Sequence, residues 1–443
     1  MRRCTRFGSP NCDAPAGSLS LFDFVSLVIG SIIGADVYVV SGLGAGLLGP
    51  ALLVAWLIGG VLAGAISLCF AQCATILPSS GGSYAYVRAT LGEWPARIIG
   101  WALYLAEWSA IAVFPVAAVR YLSVLFPLSW LAIVAFKTVF VLGFTAVNLM
   151  GARIAGWTGD ALTIGKLIPL GALVLVVLPL VIRQPALVSE RLVPFAPFGW
   201  GGLGTAVVFV FWAYAGFEVA VLPARAIERP AQTMPRGMLL GVGIAIVFYL
   251  LTNLAVFLAV PWRQFVGTSA PLAVAMAGAL AQLALPAAAG TLFMTAGALI
   301  SIGGVNQADM FGSAALVATL AESDVFPRWL AHENRFESPD VALLAQGATA
   351  LVASLLLNLG QLINVAVFFL ILVYVATAAA AAILIHRVPE RTLHWPGMRL
   401  IPWLAGLGTL ALVTSIAWSS IVLGIAFLAV GAAVWGLEKR LSG

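Results

Sequence analysis

The sequence predicts an all-α integral membrane protein with twelve transmembrane helices. Three observations carry that prediction. Of the 443 residues, 62% are hydrophobic and only 9% are charged, whereas soluble domains carry about a quarter charged residues. Apolar runs long enough to cross a bilayer recur along the whole chain, which argues against a soluble domain with one anchor. Sustained alternation of apolar and polar residues is absent, which argues against a transmembrane barrel.

Twelve apolar segments, each bounded by charge, Pro or Gly, lie near 20–46, 50–76, 94–122, 127–148, 161–182, 199–223, 237–260, 284–316, 339–358, 361–385, 402–418 and 420–437. Segments longer than about 25 residues imply tilt, breaks or extension beyond the lipid. The last two are short and meet near Ser419. The basic start, MRRCTRF, followed by an apolar stretch, imitates a signal peptide. No small-residue cleavage site follows, and Asp36 interrupts the stretch, so it reads as an uncleaved first helix.

An even number of spans puts both termini on one side. That side holds 16 of the 22 Lys and Arg residues, the opposite side holds 4, and Lys137 and Lys166 lie within spans. The bias orients both termini toward the cytoplasm. The two longest polar connections on that side, PSSGGSYAYVRATLGE (78–93) and AESDVFPRWLAHENRFES (321–338), mix aromatics with charges and read as short helices near the interface. No connection is long enough for an independent enzyme or receptor module. Cys4, Cys12, Cys69 and Cys73 form no secreted disulfide pattern. Cys69 and Cys73, four apart on a helix, read as buried thiols. The three His fall in predicted loops, so no metal set is visible.

Two spans are interrupted. GSIIGADVYVV (Gly30–Val40) carries two glycines and an aspartate at bilayer depth, and FWAYAGFEVAVLP, beginning at Phe211, carries Gly216 and Glu218. Gly34 and Gly216 are 182 residues apart, near the length of a five-helix unit. Five is odd, so a second unit would enter from the opposite side as an inverted repeat. Unwinding a helix in hydrocarbon leaves peptide groups unpaired at several kcal/mol each, and is tolerable where the break lines a cavity. There the freed N–H groups can hold a carboxylate, and the freed C=O groups an ammonium.

Gly30–Tyr38 resembles the glycine-rich first-helix signature of the amino acid–polyamine–organocation transporters. Trp212–Glu218, WAYAGFE, is similar to their sixth-helix signature, and Glu228–Arg236 is similar to the loop that follows it. The resemblance covers essentially the whole chain. It implies a leucine-transporter-type 5+5 inverted repeat with broken helices 1 and 6. The domains are then a cytoplasmic N-terminal tail (1–19), a first repeat (20–183), a second repeat (199–385), helices 11 and 12 (402–437) and a cytoplasmic C-terminal tail (438–443).

The resemblance also implies residue roles. Ile33, Gly34 and Ala35 form the first break and receive a substrate carboxylate, and Ala213, Tyr214 and Gly216 form the second and receive an amino group. Trp212 stacks on the substrate, and Glu218 takes part in proton-sensitive gating. Lys166, in a Lys-Leu-Ile-Pro context, occupies the second sodium site of sodium-driven relatives, so a proton is the coupling ion and sodium is not expected. Burial lowers a lysine's proton affinity, which suits that task. Packing for Trp212 and snorkelling for Lys166 are the plainer readings. Glu107, Ser301 and Asp309 are accessory candidates, and the two acids serve equally well as structural ion pairs.

Asp36 departs from the family, which usually has glycine there, and Arg225 and Ala226 stand where many members have an acid. Asp36 can bind a second amino group on the substrate, pair with Lys166 or exchange protons. The leading reading is proton-coupled transport of amino acids across the plasma membrane by alternating access. The alternative is exchange of cationic amino acids or polyamines, favoured by Asp36, Trp212 and Glu218. The partners are the substrate amino acid or amine and membrane lipid, not nucleic acid, and monomer and homodimer both stay open. No cofactor, metal or catalytic residue is expected. A channel lacks a repeated carbonyl filter, a sensor lacks a signalling domain, and an enzyme lacks a nucleophile–base pair.

Overall fold

The computed structural model describes residues 19–77, 81–221, 227–265, 267–323, 325–393 and 397–441, and the described chain is all-α. Cys4, Cys12, Arg225 and Ala226 lie outside the described residues. In order the helices are α1 (Leu21–Ile32), α2 (Asp36–Leu48), α3 (Leu52–Ile76), α4 (Gly82–Leu91), α5 (Glu93–Leu125) and α6 (Trp130–Leu149). There follow α7 (Ala152–Arg183), α8 (Ala186–Leu192), α9 (Leu203–Ala213), α10 (Phe217–Ala220), α11 (Pro230–Ala259) and α12 (Pro271–Gln282). The chain continues through α13 (Ala287–Glu322), α14 (Asp340–Leu356), α15 (Leu359–Arg387), α16 (Ile401–Ala411) and α17 (Trp418–Leu441).

Among the described residues, seven helices are long and apolar enough to cross a membrane, with an eighth if one bent pair counts as a single span. That pair, Ile401–Ser415 and Trp418–Ala433, bends by 115°. The break falls at Ile416–Ala417, slightly before the boundary expected near Ser419. Four apolar helices are shorter: Leu21–Ile32, Leu203–Ala213, Pro271–Gln282 and Asp340–Leu356. The first two end at the interrupted stretches.

Local chemistry sets several starts. α1 opens with a capping box: Ser20 Oγ accepts from the Asp23 amide at 3.3 Å, and the Asp23 carboxylate accepts from the Ser20 amide at 3.0 Å. Asn358 and Gln361 cap α15 reciprocally, both bonds at 3.0 Å. Ser129 caps α6 through the Ala132 amide at 3.2 Å.

Two packed groups result. In one, α3 and α1 pack against α11, and α9 packs against α2 and α3; in the other, α5, α6, α13 and α14 pack among themselves. α15 lies along α5 and α3, and α7 along α13 and α11.

α4 forms as a short helix within the connection at 78–93, with Tyr84 and Tyr86 buried. The structure corrects two readings. α12 forms in a stretch read as a connection. Its 12 residues reach only about 18 Å at 1.5 Å per residue, too short to register as a span, but Pro271 starts it and Leu272, Ala273 and Met276 bury one face. His386 lies in the last turn of α15 rather than in a loop.

Candidate substrate cavity

α1 stops because the chain turns extended at Ile33 (ψ 106°), and the helix resumes at Asp36. A Cβ on Gly34 would stand 2.7 Å from the Val305 side chain, so glycine lets this break close on α13. α9 stops at Ala213, and Gly216 turns the chain at φ +115°, a conformation that suits glycine. A Cβ on Gly216 would overlap the Ser31 carbonyl oxygen. The two interrupted stretches are therefore in direct contact.

Beside them lies a cavity of about 160 Å³, smaller than the roughly 300–1,000 Å³ typical of drug-sized pockets. Its charged lining is Asp36 from α2, Glu107 from α5, Lys166 from α7, Glu218 from α10 and Asp309 from α13. Gly30, Ser31, Phe114, Trp212, Ala215, Gly216 and Gly304 add backbone and aromatic surface. Phe114 and Trp212 sit at 6.3 Å between ring centroids. The cavity runs to Gly82 and Ser83 on α4 and to Leu316 and Leu370. Ala308, mid-way along α13, stays exposed in its wall. At the opposite end α2 is tied shut: Tyr121 Oη donates to the Tyr38 carbonyl at 2.9 Å, and Ser41 Oγ donates to Asn253 Oδ1 at 2.8 Å.

The charged groups have specific duties. Lys166 Nζ donates to the Gly30 carbonyl at 2.5 Å, in the last turn of α1. Glu218 Oε2 accepts from the Gly216 amide and from the Tyr374 hydroxyl, both at 2.8 Å. Phe217 stacks on the Tyr374 ring at 5.5 Å, which holds that hydroxyl in place. Asp36 lies within electrostatic reach of Lys166 and Asp309. With four carboxylates to one ammonium, the lining carries three more acids than bases. Such a wall calls for cations or protons. Among the described residues no group of three or more His, Cys, Asp or Glu is arranged to hold a metal ion.

A family model described as amino acid permease matches residues 19–436. The chain belongs to the amino acid permease family. It is thus a multi-pass membrane transporter of the amino acid–polyamine–organocation superfamily, not an enzyme. It is similar to a branched-chain amino acid permease of Bacillus subtilis (25% identical, covering 95% of this chain and 93% of the relative). It is also similar to an uncharacterized transporter of Mycobacterium tuberculosis (27%, 96% and 92%) and to a methylthioribose transporter of Bacillus subtilis (25%, 96% and 94%).

In this permease the sequence-predicted residues divide into two sets. Asp36, Glu107, Lys166, Trp212, Gly216, Glu218 and Asp309 line the cavity. Ile33, Gly34, Ala35, Ala213, Tyr214 and Ser301 do not. Tyr214 points away, donating to the Trp56 carbonyl at 3.1 Å. Sequence reasoning missed Tyr374, the partner of Glu218, and Tyr249, whose hydroxyl lies 2.8 Å from the Ile32 carbonyl oxygen and 3.1 Å from that of Ala213. A signal was available: a phenol inside an apolar span needs a polar partner.

Proposed function

We propose that this permease carries amino acids or related amines across the plasma membrane by alternating access, with protons as the coupling ion. The observation that carries the reading is Lys166, whose ammonium reaches from α7 to the last turn of the broken α1 beside the cavity. Losing its proton would release α1 at the point where substrate contacts are made. Sodium has no place in this scheme, because the ammonium already supplies the positive charge.

The wider architecture supports the scheme. In the twelve-span reading both interrupted stretches fall at the same place in two five-span units, and helices from equivalent places in each unit pack together: α1 and α3 with α9 and α11, α5 and α6 with α13 and α14. These relationships favour the twelve-span, 5+5 inverted-repeat reading. With both termini in the cytoplasm, the cavity leans inward, toward α4, and the tie of Tyr121 to α2 closes the outer side. The Bacillus branched-chain amino acid permease supports an amino acid cargo.

One observation favours a second reading, exchange of cationic amino acids or polyamines. The three-acid excess in the lining suits a substrate with an added positive charge, and Trp212 offers an aromatic face to it. Uptake into proteoliposomes under separately imposed proton and sodium gradients decides between the readings. The panel should hold neutral and cationic amino acids, a polyamine and methylthioribose, the last because one relative is named for it. Accumulation driven by sodium alone would refute proton coupling. A strict need for internal substrate would favour exchange.

A further inference from the structure

Each interrupted helix ends on a carbonyl with no successor in its own helix to bond it. Four of the carbonyls just before those ends have partners. Ile29 O accepts from the Ile33 amide at 2.9 Å, and Gly30 O accepts from Lys166. Phe211 O and Trp212 O accept from the Tyr214 and Ala215 amides at 3.2 and 3.0 Å. The final residues are Ile32 in α1 and Ala213 in α9. One side chain serves both: Tyr249 of α11, with its hydroxyl 2.8 Å from Ile32 O and 3.1 Å from Ala213 O.

The phenol is set for this purpose. Tyr249 is fully buried and does not line the cavity. Its ring is wedged between Trp56 at 4.8 Å and Tyr214 at 5.3 Å between centroids. A tyrosine hydroxyl has one proton to donate. It therefore bonds one carbonyl fully at any instant while the other waits within reach. Relative movement of α1 and α9 can switch the hydrogen bond from one carbonyl to the other without leaving the hydroxyl unbonded.

We propose that Tyr249 is a positioning residue that joins the two helix interruptions into one joint. Tyr249 acts on the rate of conformational exchange and not on substrate contact.

Tyr249→Phe removes the hydroxyl and keeps the ring, and Trp56→Phe disturbs the same ring cluster while leaving the hydroxyl. Y249F should turn over at least fivefold more slowly with KM within twofold of wild type, a split that places the loss after binding. Its backbone amides at 33–36 and at 214–217 should both exchange hydrogen faster in substrate-free nanodiscs. W56F should melt at a lower temperature with kcat within twofold and unchanged exchange at those amides. If Y249F does not fold, difluorotyrosine at position 249, a stronger donor of the same shape, should shift kcat and not KM.

Wild-type kcat in either Tyr249 variant, a loss confined to KM, or faster exchange at one interruption alone would overturn the proposal. The turnover measurement rests on the transport reading above. Exchange needs no substrate, so unchanged exchange in Y249F sinks the joint whatever the cargo. Wild-type protein that moves no substrate on the panel sinks only the transport reading.

Discussion

Lys166 and Gly30 are 136 positions apart in sequence, yet the lysine ammonium donates to the glycine carbonyl at 2.5 Å across the face of the cavity. A helix end that lacks an amide partner is thereby capped by a group able to give up a proton. If that proton drives the cycle, Lys166→Met should abolish proton-driven accumulation, at least tenfold, while some exchange of external for internal substrate persists. Uptake and counterflow in proteoliposomes under an imposed pH gradient check it. Full accumulation in K166M would remove Lys166 from the coupling.

Lys137 provides the contrast. It is also buried, and its Nζ donates to the Ser354 carbonyl at 2.5 Å in the last turn of α14. A cation there complements the helix end, but it lies away from the cavity lining. Lys137→Met should cost about 1–3 kcal/mol of stability from the unpaired carbonyl, with proton-driven uptake per folded molecule unchanged. Thermal melting alongside uptake separates the two lysines.

Asp36 should recognise a positively charged part of the substrate. Asp36→Gly removes the carboxylate from the cavity wall. It should raise the KM for lysine or a diamine at least tenfold, a change worth about 1.4 kcal/mol. The KM for leucine should move less than threefold. Equal losses for both would assign Asp36 to coupling or folding. Competition of unlabelled amino acids against a labelled one measures the ratio.

Glu218 and Tyr374 should act as a pair. Glu218→Leu removes the acceptor and Tyr374→Phe the donor of the 2.8 Å hydrogen bond. The double variant should lose less transport than the two single losses multiplied together, with a coupling of about 0.5–3 kcal/mol. Strict multiplication would show that the bond is idle in the cycle.

Gly216→Ala should hardly fold. The backbone sits at φ +115°, and the added Cβ would meet the Ser31 carbonyl, a backbone atom with little freedom to yield. The strain alone is on the order of 1–3 kcal/mol. Yield of monodisperse protein and its melting temperature report the outcome.

How far the sequence reaches is instructive residue by residue. The interruptions at Gly34 and Gly216 were legible because glycine beside an acid has little structural use in an apolar span. Asp36, Glu107, Lys166, Glu218 and Asp309 stood out as costly charges, and all five line one cavity. The pairing of Tyr374 with Glu218 joins residues 156 apart, and that of Tyr249 with Ile32 joins residues 217 apart. No local period announces such meetings, which depend on how the helices cross. α12 escaped for a different reason: its apolar face is too short to be told from a connection without its neighbours.

The short reach of the Glu218 carboxylate to the Gly216 amide bears on the vacant carrier. A bent backbone whose open donor is met from two residues away stays solvated by its own chain when nothing else is bound. In the proposed alternating-access cycle, the homeward leg made without cargo would carry no added penalty at that donor, which fits net movement in one direction rather than one-for-one trade.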